Sequence, residues 1–164
     1  MFLFLYRYKE SKRLIPDIIR GIEEQTAIEI RNPASSRPWQ HVLDPLSGYV
    51  LAAGALLDEM NLDGVNFGPT EQSLSVRSVI DIAEEDFRGQ VKFFVSTKQT
   101  EQTLESGLLD LDSSLARTKL GWVPKWNQEE AIHTTFSWWK NVLSGVKSAA
   151  EACDQDIMTL LEES

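Results

Sequence analysis

From Leu46 to Leu57 the chain reads LSGYVLAAGALL, a stretch without a single charge that is apolar nearly all round a helix. Such a helix must be covered on more than one side. At ~1.5 Å per residue it also falls well short of the ~30 Å hydrocarbon core of a bilayer. It is therefore read as a buried helix of a folded domain, in which Gly48, Ala52, Ala53 and Gly54 offer small surfaces for close packing. A chain of 164 residues, 42% apolar and 25% charged, can supply one globular domain with its own core. The opening MFLFLY is apolar too, but six residues are too few for a signal sequence or a span, and no cleavage site follows. No membrane partner is expected.

Net charge is -9, which argues against a nucleic-acid partner, because a duplex binder needs a basic face to displace counterions. The charge is uneven. Residues 1 to 41 hold seven Lys or Arg against five Asp or Glu, and the remainder holds nine against twenty, so an anion site is expected in the first quarter. The single Cys153 cannot close a bridge within the chain, and His41 and His133 stand 92 positions apart, so neither a disulfide framework nor a zinc module is indicated. A reducing cytoplasm is the expected location.

Arg13 to Gln25 carries Leu14, Ile15, Ile18, Ile19 and Ile22 at helical spacing, with Pro16 tolerated in the first turn. Thr26 to Arg31 alternates as a strand, and Trp39 to Leu43 reads as another. Asp44 and Pro45 are then expected as the N-cap and first residue of the apolar helix. Val65 to Phe67 reads as a strand, Ser75 as the cap of a helix bearing Val76, Val79, Ile80 and Ala83, and Gln90 to Val95 as a strand. Ser96 to Gly107 is polar and aperiodic, and Leu109 to Leu111 is read as extended. Asp112 opens a short helix stopped by Gly121. Asn127 with Glu130 makes a capping-box pair ahead of Ile132, Phe136, Trp139 and Leu143, and Gly145 ends that helix before one more in the acidic tail. The class is α/β, built of short strands and helices.

Several chemistries are excluded. No glycine-rich loop joins a strand to a helix; Tyr6 and Tyr49 are followed four places later by Glu10 and Ala53, and Tyr8 is followed by Lys12 only in the opening segment, with no glycine loop ahead of it. G-x-S-x-G, Walker A and H-E-x-x-H patterns are also absent. The block RNPASSRPWQHVLDP remains, where Arg31 and Arg37 flank a turn beside Trp39 and His41. A planar guanidinium binds a diphosphate through paired hydrogen bonds, which suits an anion clamp. Alternatively Arg37 pairs with Asp44 or a nearby acid, Trp39 is core and His41 is a packing histidine. Trp122 and Trp126 read as core and turn residues, or as a platform for a base.

The run RPWQHVLDPLSGYVLAA resembles the CDP-glucose 4,6-dehydratase branch of the extended short-chain dehydrogenase/reductases. KRLIPDIIRG, VNFGP, LDLDSSLARTKLGWVPKW and TLLEES are similar to further blocks of that family in the same order, so the resemblance covers residues 12 to 164 and corresponds to the C-terminal, substrate-binding half of such an enzyme. In that family, a lyase of deoxysugar biosynthesis, bound NAD takes a hydride from a CDP-hexose and later returns it as water is lost. The resemblance implies that the N-terminal NAD-binding Rossmann half, which lies outside the resembled blocks, supplies the glycine loop and the Tyr and Lys. This chain is then expected to hold no NAD and no catalytic residue of its own, and to be inactive alone. By the same resemblance Arg37 is the diphosphate ligand, with Arg13, Leu14, Asn66 and Glu105 as further substrate-binding positions. Residues 1 to 11 do not resemble the family's segment. Gly107 stands where a larger polar residue is expected, and Leu115 where a Lys is usual. A CDP-sugar, a complementary N-terminal half and self-association are the expected partners. The other expectations are a remnant or protein-interaction domain that binds no nucleotide sugar, and one half of a split enzyme.

Overall fold

The computed structural model describes residues 13–62, 64–96 and 108–162. The first helix, α1 (Leu14–Glu24), follows the predicted apolar stripe, with Ile18 and Ile19 buried, and Gln25 closes it in the left-handed region. The next segment alternates as expected for a half-buried strand: in β1 (Ile28–Ile30) both isoleucines are buried and Glu29 is exposed. It pairs in parallel with β4 (Phe93–Val95), Ile28 opposite Phe93 and Ile30 opposite Val95. A second pair is antiparallel, β2 (Ser36–Arg37) with β3 (Leu74–Ser75).

Between them run α2 (Leu43–Leu57) and α3 (Val76–Asp86), the latter capped by the Ser75 hydroxyl, which accepts from the Ser78 N–H. A short helix, α4 (Ser114–Leu120), ends at Gly121, whose φ of 63° is open to a residue without a Cβ. α5 (Gln128–Leu143) opens on the predicted capping box of Asn127 and Glu130, and α6 (Ala149–Leu161) on a second one, from Ser148 and Glu151.

The main core is built by α1, β1, α3 and α5, where Ile18, Ile28, Val79, Ile80, Ile132 and Phe136 meet. His133 Nδ1 lies 2.9 Å from Asp86 Oδ2, and Lys140 donates to the Asp86 carbonyl, tying α5 to the end of α3. A smaller cluster holds Phe67, Ala116 and Trp122.

Four expectations are corrected. Trp39 to Leu43 is not a strand: the Trp39 N–H is taken by the Arg37 carbonyl and the Gln128 side chain, and Leu43 already begins α2. The strand lies earlier, at Ser36–Arg37. Asp44 does not cap its own helix. It sits inside the first turn, where Pro45 is likewise no longer the first residue, and the Leu43 N–H donates instead to His41 Nδ1. Val65 to Phe67 forms no ladder, and Phe67 is buried by Trp122 and by α2.

The fourth correction concerns α2, of which only Asp44 and Gly48 are buried. At Gly48 an added Cβ would lie 2.3 Å from the Phe67 ring, so the helix approaches its neighbour through this missing side chain. Its opposite side faces outward: Val50 is 73% and Leu57 85% exposed, with Tyr49 and Leu56 also open. Among the described residues no helix is long and apolar enough to cross a membrane.

Candidate functional site

The segment from Ser36 to Asp44 carries β2 into α2, and residues distant in sequence fix it. Arg37 is half-buried in β2, paired with Leu74, and its guanidinium donates to the Ser36 carbonyl at 2.8 Å. Two positions on, the Trp39 indole N–H donates to the Leu74 carbonyl at 3.0 Å, which joins the chain leaving β2 to β3.

Gln128 completes the frame. Buried at the first turn of α5, its Oε1 accepts from both the Trp39 and the Leu74 N–H, at 3.1 and 3.2 Å, and its Nε2 donates to the Gln72 carbonyl at 2.7 Å. Its own N–H donates to Glu71 Oε1. The sequence marked the flanking Asn127 and Glu130 as a cap but not Gln128 between them, because its partners lie 54 to 89 positions away.

His41 is buried. Its ring contacts Trp126 at a centroid distance of 4.4 Å, Nδ1 accepts from the Leu43 N–H, and Nε2 lies 3.4 Å from Asp156 Oδ2. With both ring nitrogens engaged, it serves packing and capping. Trp122 is core as well, its indole N–H shared between the Asp44 carbonyl and the Ser47 hydroxyl.

Asp44 is fully buried. Its Oδ1 accepts from the Lys125 N–H at 2.7 Å, while Oδ2 has no hydrogen-bond partner. Burial pushes its pKa up to about 6, against the opposing pull of the Lys125 N–H, His41 and the Trp126 N–H. A carboxyl raised in the folded state stabilises it below the unfolded pKa, and that contribution is lost as pH rises through about 6. At ~1.4 kcal/mol per unit, a span from 3.8 to about 6 corresponds to roughly 3 kcal/mol. Asp44→Asn keeps an acceptor for the Lys125 N–H and is expected to gain stability over the parent as pH rises from 4 to 7. Urea unfolding across that range measures the difference, and an invariant difference would refute the raised pKa.

The other sequence-predicted positions fall in different places. Arg13 is the exposed N-cap residue of α1 and Leu14 its first residue, and both line a cavity of about 710 Å3 formed with Trp39, Val42, Trp138 and Ile157. Arg37 does not line that cavity. Asn66 is exposed, and its Nδ2 lies 3.4 Å from the Asp112 carbonyl. Glu105 and Gly107 lie outside the described residues, as does most of the Ser96 to Gly107 loop, and Leu115 lies on α4.

A second cavity of about 230 Å3 adjoins Pro38 and is lined by Glu71, Asp110, Asp112 and Arg117. Its carboxylates outnumber its one guanidinium, so it disfavours an anion. Among the described residues no group of three or more His, Cys, Asp or Glu is placed to hold a metal ion. Nor does a glycine loop join a strand to a helix among them. β1 leads into the turn at Asn32 rather than through a glycine loop into a helix, and α3 opens on the Ser75 hydroxyl.

No protein-family model matches the sequence. Over 136 residues, 81% of this chain, it is 38% identical to CDP-glucose 4,6-dehydratase of Salmonella typhimurium strain LT2, and it spans 37% of that protein's length. Among solved structures, UDP-glucose-4-epimerase from Stenotrophomonas maltophila, with bound NAD and formylated UDP-arabinopyranose, superposes with a TM-score of 0.69 at 22% identity, over 85% of this chain and 43% of that one. UDP-glucuronic acid 4-epimerase from Bacillus cereus, in complex with UDP-glucuronic acid and NAD, superposes with a TM-score of 0.64 at 18% identity, over 80% of this chain and 40% of that one. These likenesses establish the fold. Over 81% of its length the chain is similar in sequence to CDP-glucose 4,6-dehydratase, and it has the mixed α/β fold of a part of these nucleotide-sugar epimerases.

Proposed function

We propose that this chain is the CDP-hexose-binding portion of a CDP-glucose 4,6-dehydratase-like protein of the cytoplasm, catalytically incomplete by itself. The observation that carries this reading is the 38% identity to that dehydratase over 136 residues. Supporting it, Arg37 stands on β2 with its main chain paired to β3, a framed position from which a guanidinium can meet a diphosphate. NAD and the acid/base groups would be supplied by a complementary half, which the outward apolar side of α2 would help to receive.

Calorimetric titration with CDP and CDP-glucose tests the binding. Arg37→Ala is expected to weaken it by roughly 10-fold to 150-fold, equivalent to the ~1.5 to 3 kcal/mol of a charge-assisted hydrogen bond, while barely shifting the melting temperature. Equal affinity of parent and variant would remove Arg37 from the site. Turnover or tight NAD binding by the chain alone would refute its incompleteness. A second reading, a protein-interaction domain without nucleotide-sugar affinity, rests on the same exposed face of α2, and failure of CDP and CDP-glucose to bind the parent would favour it.

A further inference from the structure

The cavity of about 710 Å3 beside α1 lies within the ~300–1,000 Å3 typical of sites that enclose an organic molecule. Three helices and the chain entering α2 build it. On α6 the lining residues Cys153, Asp156 and Ile157 stand at i, i+3 and i+4, a single helix face, and on α5 Thr135 and Trp138 stand at i and i+3. Trp138 meets Trp139 edge to face at 5.1 Å, and Trp39 adds a third indole to the lining. The wall is therefore largely apolar and rich in π faces.

Charge selects what such a wall can hold. Arg20 is paired with Asp17 at 2.9 Å, so at this cavity two guanidiniums, Arg13 and Arg20, stand against three carboxylates, Asp17, Glu24 and Asp156. Of the three, Asp156 is the most buried, its side chain 17% exposed. His41 Nδ1 accepts from the Leu43 N–H, which leaves the proton of the neutral ring on Nε2, facing Asp156. That contact spans 3.4 Å, longer than the ~2.7–2.9 Å of a charge-assisted hydrogen bond. Among the described residues no Lys or Arg forms an ion pair with Asp156.

A weakly partnered carboxylate beside indole rings accepts hydrogen bonds from an ammonium group, and the rings attract the same charge. It repels a diphosphate. We propose that this cavity binds a small aromatic amine in its protonated form, with the ammonium on Asp156 and the ring among Trp39, Trp138 and Ile157. Arg37 lies outside the cavity, and nothing in this inference depends on nucleotide-sugar binding.

Naphthylethylamine, naphthylethanol and naphthylacetate serve as probes of similar shape that differ in charge. In calorimetric titration of the full chain at neutral pH, the amine is expected to bind roughly tenfold or more tightly than the alcohol, the worth of a charge-assisted hydrogen bond, and the acetate least. Asp156→Asn should remove the amine's advantage and leave the affinity for the alcohol as it was. In the parent chain, where no variant has to fold, saturating amine should slow the alkylation of Cys153 by iodoacetamide, because this sole cysteine stands one turn before Asp156 on the same wall. Equal affinities for amine and alcohol, an amine that does not bind, or undiminished alkylation with the amine bound would each overturn the proposal. So would displacement of the amine by CDP, which would assign the cavity to the nucleotide.

Discussion

Gln128→Leu is expected to destabilise the fold by about 2–6 kcal/mol, because it strands the Leu74 N–H and the Gln72 carbonyl, each costing ~1–3 kcal/mol when left without a partner. The Trp39 N–H suffers less, since the Arg37 carbonyl also accepts from it at 3.0 Å. Leucine matches glutamine in approximate size, so the loss would report hydrogen bonding rather than volume. Gln128→Glu should be at least as harmful: it removes the donor to Gln72 and buries a carboxylate near Glu71, which already accepts from the residue's own N–H. Urea unfolding gives the stabilities. Because Gln128 ties down the strand facing Arg37, CDP binding should weaken in the same variants. A Gln128→Leu protein as stable as the parent would show that water replaces the amide and that the frame is not held from α5.

Phe136→Ala is expected to cost about 3–5 kcal/mol, the usual range for emptying a fully buried aromatic site. Phe136 meets Phe87 edge to face at 5.5 Å and belongs to the cluster that joins α5 to α1, β1 and α3. The surrounding isoleucines and valines lie on several elements, so the cavity cannot close by moving one side chain. Phe136→Leu, which retains most of the volume, should lose much less. A small loss for both would mean that the core collapses around the site, and that α5 is positioned chiefly by its capping box and by the Asp86 contacts of His133 and Lys140.

The exposed face of α2 shows where local patterns stop being informative. From Leu46 to Leu57 the sequence calls for cover on several sides, yet among the described residues only Gly48 of this stretch is buried, against Phe67, while Val50 and Leu57 stay open. Val65 to Phe67 has strand-forming residues but pairs with no strand among the described residues, so β propensity alone does not place it in a ladder.

α1, α3 and α5 were legible because their signals are short-ranged. Apolar residues at i, i+3 and i+4 share one helix face, and the Ser75 and Asn127 caps act within the first turn. The alternation around Glu29 is equally local. The similarity to CDP-glucose 4,6-dehydratase was legible as well, carried by blocks of sequence that need no coordinates to compare.

Tertiary structure alone decided what the polar groups of the Ser36 to Asp44 segment do. An aspartate before proline reads as a cap, but Asp44 turns to the Lys125 N–H, 81 positions away, and its burial there raises its pKa. Trp39 and Gln128 are separated by 89 positions, and no periodicity predicts that the amide of one satisfies the backbone of the other. Hydrophobic spacing determines which face of an element is buried, since that follows from the geometry of a single turn or pleat. The partner that satisfies a buried donor or acceptor depends on how separate elements dock, and that choice exists only once the chain has closed.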